Sequence, residues 1–316
     1  MDITVIITAL NERQYISEAI QSVLEQNRLP NEILVIDAGS SDGTKSIIQS
    51  YSNYNDIVKP VYLEESVNIP EMRNIGLKKA QGDFITFLDG DDRFRQEKLS
   101  KEIETIRSHP DAKVAFSNVA YVDEGANLVE LWNKSGEPPT GDVLYETLMR
   151  DWPKNSLYRD ELISSDLVSK IGEYDEELTI LEDWDYKIRI AAETKVAYCP
   201  EVLTEYRQHD QGISSISSYR LVASATKRIY ENRREIIQKQ LKKSEQENVE
   251  EFMKSRINKF EALASMEDGS YTRATHQYLN FLKQNPTHLM NYKLHLRFFL
   301  PSDMYDYIRG IYRRTF

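Results

Sequence analysis

Continuous apolar runs alternate with runs of helical period through the first part of the chain. "ITVIITAL" (3–10) is β-branched and apolar almost throughout, the pattern of a strand buried on both faces. In the following "NERQYISEAIQSVLEQ", Tyr15, Ile16, Ala19, Ile20, Val23 and Leu24 share one helical face. "EILVID" (32–37) predicts a second buried strand, "AGSSDGT" a turn with Ser and Asp available as caps, and "KSIIQSY" a helix. "VKPVYLEE" predicts a third, shorter strand. "IPEMRNIGLKKAQ" predicts a helix ended by Gly82, and "DFITFLD" a fourth strand. Strands alternating with helices imply an α/β fold with a doubly wound, mostly parallel sheet flanked by helices.

Further on, "AKVAFSNVAYVD" (112–123) predicts another strand with "ANLVELWN" beside it. "KSGEPPTGD" (134–142) predicts a loop and "VLYETLMRD" a helix. Then "SLYRDELISSDLVSKIG" predicts a helix, "EYDEELTILEDWDYKIRIAAE" an acidic loop leading into a helix, and "TKVAYCPEVLTEYRQH" a strand pair. After "GISSISS" (212–218) glycine and proline become scarce. "YRLVASATKRIYENRREIIQKQL" and "NVEEFMKSRINKFEALASM" are amphipathic, and "GSYTRATHQYLNFLKQNP" adds a helix that would close a hairpin around Gly269. That hairpin has the look of one tetratricopeptide-type unit, though simple helix packing explains a single unit better. The expected organisation is a domain over 1–215 and a helical C-terminal region over 216–316.

Charge sharpens this division. Residues 1–215 carry 22 Lys+Arg against 40 Asp+Glu, a net of −18, and residues 216–316 carry 18 against 11, a net of +7; the whole chain is at −11. An acidic main body argues against nucleic acid as partner, since phosphate binding requires basic surface. The basic tail suits an anionic membrane face, and residues 291–316 interleave aromatics with Lys293, Arg297, Arg309, Arg313 and Arg314. A peripheral membrane or partner contact is one reading of that segment, and a packed helix with solvated cations is the other. The single cysteine, Cys199, excludes internal disulfides and any four-cysteine zinc site. The N-terminus lacks a basic leader segment, and no apolar run approaches the roughly 20 residues of a spanning helix. The expected location is the cytoplasm, with the inner face of the membrane as a peripheral site.

Ligands of doubly wound sheets bind at the carboxyl ends of the strands. This places Thr8 to Glu12, Asp37 to Ser41 and Asp89 to Asp92 on one rim. In "FITFLDGDD" (84–92) an apolar run ends in Asp89, Asp91 and Asp92. Asp89 and Asp91 are alternate residues, and would share a face if the strand continued that far. Carboxylates this close repel one another and call for a cation. Oxygen ligands select a hard metal, Mg²⁺ or Mn²⁺, which binds phosphate oxygens in turn. Taken alone the stretch is equally an exposed Asp/Gly turn. As a site it fits either a phosphohydrolase with Asp89 as nucleophile or a diphosphate-binding metal site of a sugar transferase.

Four segments in order decide between them. "VIITALNE", "EILVIDAGSSDGT", "RNIGLKKAQGDFITFLDGDD" and "IGEYDEELTILEDWDYKIRIA" resemble the successive motifs of the family-2 glycosyltransferases. These have the nucleotide-diphospho-sugar transferase (GT-A type) fold, and the resemblance runs through most of residues 1–215. It implies an inverting, metal-dependent glycosyltransferase that moves a sugar from a UDP- or GDP-sugar to an acceptor hydroxyl, in polysaccharide or glycoconjugate synthesis. The acceptor would be a glycan or a lipid-linked sugar. Thr8, Ala9, Leu10, Asn11 and Glu12 would contact base and ribose, with Asp37 accepting from a nucleobase N–H and Arg73 lying near the nucleotide. Asp89 and Gly90 would contact the donor. Asp89, Asp91 and His209 would hold Mn²⁺ or Mg²⁺, Asp183 would be the base and Glu182 its support. Many relatives carry a second Asp where this chain has Ala38, which puts the identity of the base in doubt. The rivals are the phosphohydrolase and an inactive sugar- or nucleotide-binding module.

Overall fold

The computed structural model describes residues 1–134, 136–209, 218–268 and 270. The chain divides into two compact units, Met1–Ser215 and Ile216–Phe316. The first is built on strands β1 (Ile3–Ala9), β2 (Glu32–Asp37), β3 (Val58–Tyr62), β4 (Phe84–Asp89), β5 (Arg93–Phe94), β6 (Ala112–Val122), β7 (Leu128–Leu131), β8 (Leu162–Ser164) and β9 (Lys195–Arg207). Its helices are α1 (Ile16–Leu24), α2 (Thr44–Tyr54), α3 (Ile69–Lys79), α4 (Lys98–Ser108), α5 (Leu144–Met149), α6 (Ser165–Ile171) and α7 (Glu182–Glu193). The strands form a single sheet ordered β3-β2-β1-β4-β8-β6-β9-β5, with β7 added on β6.

The first four strands are parallel neighbours, and every residue of β1 and β2 is buried. Helices cover both faces of such a sheet, which is why β1, β2 and β4 are largely apolar rather than alternating, with the buried Thr4 hydroxyl paired to Glu32 at 2.7 Å. The chain leaves β1 for β2 on one side and returns to β4 on the other, so a crevice opens at the carboxyl end of β1. Beyond β4 the sheet turns mixed: β8 is antiparallel to β4 and β6, while β6 and β9 are parallel over most of their length. Thus β6 and β9 run in the same direction as β4, and their carboxyl ends reach the same rim.

Three elements differ from the sequence expectation. The segment expected as one helix over 156–172 contains β8 before α6. Leu162 and Ile163 are fully buried between β4 and β6, and three residues are too few to show a period. The expected strand pair over 194–209 is one long strand, β9, whose register slips near Ser117 and Asn118 of β6. Around those irregularities Pro200 and Glu201 turn outward, which mimics a hairpin in the sequence. The two-residue β5 pairs with β9 directly after the acidic stretch. In the second unit the first predicted helix is broken into α8 (Tyr219–Asn232) and α9 (Arg234–Gln240), and the second lies within the longer α10 (Lys243–Glu267). The expected hairpin around Gly269 and the basic, aromatic segment 291–316 lie outside the described residues.

Gly82 sits where α3 hands over to β4 and leaves no room for a side chain. A Cβ there would lie 2.6 Å from the Thr4 nitrogen and 2.8 Å from the Phe84 carbonyl oxygen. Backbone on both sides cannot yield cheaply. Gly82→Ala is expected to destabilise the first unit by about 1–3 kcal/mol in denaturant unfolding, and an unchanged midpoint would contradict the close approach.

Candidate active site

The rim loops are stitched to one another by their own polar groups. Asn11, in the left-handed region at φ 59°, donates its N–H to the Ser40 hydroxyl at 2.8 Å and accepts from the Ser41 N–H at 2.9 Å. Asp42 accepts the Arg13 N–H at 3.0 Å and caps its own loop through the Thr44 N–H and hydroxyl. Ala9 accepts from the Ala38 N–H at 2.9 Å, and Leu10 carries the chain from there into the loop. Between these loops Asp37 is almost fully buried, and its Oδ1 has no hydrogen-bond partner. A buried carboxylate oxygen left open at the end of a strand is costly, and it is an acceptor waiting for a donor. Ala38 beside it is completely buried, so it offers packing and no polar contact.

The strand β4 ends at Asp89, and the chain turns at once: the Asp92 N–H donates to the Asp89 carbonyl at 3.1 Å. Gly90 is pressed onto β1 with its N–H on the Thr8 carbonyl at 2.9 Å. A Cβ at Gly90 would meet that same oxygen at 2.9 Å and Glu12 Cγ at 3.1 Å. This turn separates the three carboxylates. Asp89 faces Arg73 (Nη2 at 3.5 Å), Arg159 (Nη2 at 3.3 Å) and the Thr8 hydroxyl, which donates at 3.1 Å. Burial works to raise its pKa, but the two guanidinium groups outweigh that and hold it below the usual range. Asp91 meets His209, whose Nε2 lies 2.9 Å from its Oδ2. Burial and then the charge of Asp89 raise the pKa of Asp91. Asp92 is fully buried and accepts the Arg207 N–H at 2.8 Å.

Arg207 fastens this turn to the end of β9. Besides its backbone bond to Asp92, its guanidinium donates to the Asp91 carbonyl (2.9 Å), the Glu124 carbonyl (2.7 Å) and the Glu18 carboxylate (2.8 Å). Its position thereby delivers His209, two residues on, to Asp91. The Tyr15 ring packs against both, 4.5 Å from the Arg207 guanidinium carbon and 5.4 Å from the imidazole centroid.

On the other side of the rim stands α7. Arg73 bridges to it, with Nη1 3.2 Å from Glu182 Oε1. Neighbouring Asn74 fixes the arginine's helix by accepting the Tyr174 N–H at 2.7 Å and donating to the Tyr174 carbonyl and the Glu176 carboxylate. Arg73 thus joins the β4 carboxylate Asp89 to the α7 carboxylate Glu182 by ion pairs to both. Burial works to discharge it, but Tyr174, Asp89, Glu182 and Asp183 together keep it protonated. Asp183 lies in the first turn of α7, where its Oδ1 accepts the Trp184 N–H at 2.8 Å. Burial works to raise its pKa, while Lys187, Arg150, Arg159 and Arg73 outweigh it and lower the value; burial raises Glu182. Asp185 points elsewhere, fully buried against Arg189 (3.1 Å).

The structure places Asp37, Asp89 and Asp91 at the strand-end rim, with Arg73, Glu182, Asp183 and His209, expected from the family resemblance, beside it; Arg150, Arg159 and Arg207 were not singled out in the sequence. Among the described residues no group of three or more His, Cys, Asp or Glu is arranged to hold a metal ion. What the turn does bring together is a carboxylate and an imidazole, Asp91 and His209. The carboxylate suits Mg²⁺ or Mn²⁺, whereas the imidazole suits a transition metal, so the pair fits Mn²⁺ better than Mg²⁺. No helix among the described residues is long and apolar enough to cross a membrane.

This sheet, with its ligand rim at the carboxyl ends and its mixed second half, is a glycosyltransferase fold of GT-A type. Residues 4–166 match the model of glycosyl transferase family 2, and the chain belongs to that family. It is similar to a Bacillus subtilis protein named putative teichuronic acid biosynthesis glycosyltransferase TuaG, 36% identical over 119 residues, 38% of this chain and 46% of that one. It is also similar to an uncharacterized glycosyltransferase of Haemophilus influenzae, 34% identical over 130 residues, 41% of this chain and 51% of that one. The matches therefore span about half the length of these two curated relatives. Among solved structures, Staphylococcus aureus TarS 1–349 in complex with UDP-GlcNAc superposes with a TM-score of 0.67 at 19% identity, over 99% of this chain and 92% of that one.

The Arg207–Asp92 bond is testable by itself. Asp92→Ala leaves a buried N–H without a partner, and a loss of about 1–3 kcal/mol is expected in chemical denaturation. A wild-type midpoint would mean that the turn does not depend on that bond.

Proposed function

We propose that this chain is an inverting glycosyltransferase using a nucleotide-diphosphate sugar, with Asp183 as the base. The observation that carries this reading is the Arg73 bridge, whose guanidinium pairs the strand-end carboxylate Asp89 with Glu182 at the head of α7, next to Asp183. In an inverting transfer the acceptor hydroxyl attacks the anomeric carbon opposite the departing diphosphate, so a base and a leaving-group site must face each other. Asp183 would take the hydroxyl proton. Glu182 would hold Arg73 in place, and Arg73 and Arg159 would meet negative charge growing on the diphosphate.

The open Oδ1 of Asp37 supports a nucleobase N–H as its donor, uracil or guanine, and the UDP-GlcNAc bound to TarS favours uracil. Thr8 to Glu12, with Gly90 pressed beneath them, would form the floor under base and ribose. Mn²⁺ or Mg²⁺ would be held by Asp91 and His209, with Asp89 adding its charge beside them. When bound, such an ion supplies charge neutralisation for the leaving diphosphate. An acceptor in a glycan or a lipid-linked sugar, a role in polysaccharide or glycoconjugate synthesis and a peripheral place at a membrane are consistent with the basic, aromatic tail 291–316.

Two variants separate the parts. Asp183→Asn should lower transfer by about 10²–10⁴-fold while leaving Mn²⁺-dependent binding of UDP or GDP near normal, and near-normal turnover would remove Asp183 as the base. Asp91→Ala should weaken calorimetric binding of Mn²⁺ with the nucleoside diphosphate by about tenfold or more. Undiminished affinity would sink the metal assignment.

A further inference from the structure

One strong cation at the site has no part in the donor chemistry. Arg150 follows α5 directly and sits in the left-handed region at φ 55°, a place where helices ordinarily end on glycine or asparagine. Its N–H closes the last turn, and the next N–H, that of Asp151, reaches back to the Glu146 carbonyl at 2.8 Å. The surrounding bonds therefore impose a conformation that an arginine would not choose, and strain of this kind gathers where a side chain has to be aimed.

The side chain lies against the first turn of α7, the turn that carries Asp183. Its guanidinium lies 5.0 Å from the centroid of the Trp184 ring, and Trp184 is fully buried with its indole N–H on the Thr147 carbonyl at 2.7 Å. The platform under the arginine is thus pinned to both α5 and α7. Its Nη1 is buried and has no hydrogen-bond partner. Among the described residues Asp183 is the one carboxylate that acts on its charge. Arg73 and Arg159 differ, because each has a carboxylate within 3.5 Å: Asp89 for both, and Glu182 as well for Arg73.

We propose that Arg150 receives a carboxylate or phosphate carried by the acceptor next to its attacking hydroxyl, so that the acceptor of this enzyme is an acidic glycan. This rests on the reading of Asp183 as the base. A neutral hydroxyl would satisfy the open N–H but leave a charge whose desolvation Asp183 only partly offsets, whereas an anion answers both with a bond about twice as strong. The diphosphate is not the natural ligand, since it departs on the face opposite the base. An anion on Arg150 has a second consequence. Arg150 is one of four cations that hold Asp183 low, and neutralising it returns proton affinity to the base as the acceptor arrives.

The test is a calorimetric titration of the full chain with Mn²⁺ and UDP or GDP, followed by a second titration of the saturated complex with methyl β-D-glucuronide, glycerol 3-phosphate or methyl β-D-glucoside. Wild type should bind at least one of the two anionic probes about tenfold more tightly than the neutral glucoside, and which one distinguishes carboxylate from phosphate. Arg150→Met should bring the probes to within about twofold of one another, and Arg150→Lys should keep part of the preference by charge without the planar fork. Equal affinities in wild type, no binding of either anion, or a preference that survives Arg150→Met would overturn the proposal. If Arg150→Met does not fold, Arg150→Lys and the wild-type preference still decide it. Failure of the first titration is a separate result, and it would overturn the nucleotide-sugar reading together with its acceptor.

Discussion

Everything at the rim depends on how many carboxylates can be held together at the ends of buried strands. Asp89, Asp91, Asp92, Glu182 and Asp183 lie within one crevice, and ionised side by side they would drive it apart. The protein solves this by giving them different partners. Asp89 has two guanidinium groups, Asp91 an imidazole and Asp92 a backbone N–H, while Glu182 shares Arg73 with Asp89. The turn at Gly90 makes that partition possible, because it ends the strand at Asp89 and sends the next two carboxylates in other directions. Had β4 continued, Asp89 and Asp91 would have faced the same way.

The parallel half of the sheet was legible because its physics is simple. A strand covered by helices on both faces is apolar at most positions, so β1, β2 and β4 announce themselves, and the aspartates that end β2 and β4 mark the rim. The same reasoning fails for β8, where Leu162 and Ile163 are deeply buried but flanked by charge on both sides. It also fails for β9, whose irregular register places Pro200 and Glu201 mid-strand.

The carboxylates were legible by position, and their counter-ions were not. Arg150, Arg159 and Arg207 are single residues in stretches with no distinctive spacing, and an arginine in sequence reads as solvated surface. Only the folded chain shows that Arg207 ties β9 to the acidic turn, or that Arg159 lies over the Tyr206 ring, 4.0 Å from its centroid, with its charge on Asp89. A reading that counts only acidic residues would infer a deficit of positive charge here that the fold has largely made good.

That balance bears on how a base so surrounded by cations could act. Lys187, Arg150, Arg159 and Arg73 outweigh burial and lower the pKa of Asp183, which makes it a weaker proton acceptor than an ordinary carboxylate. On the proposed reading each substrate arrives carrying negative charge, and each draws on a different cation: the diphosphate on Arg73 and Arg159, an acidic acceptor on Arg150. As those cations find new partners their hold on Asp183 weakens, and its proton affinity rises in steps to its highest value with both substrates in place. Water entering a half-filled site would meet a weaker base than the acceptor does. The charge distribution by itself would then favour transfer over wasteful hydrolysis, without requiring a lid or a second conformation.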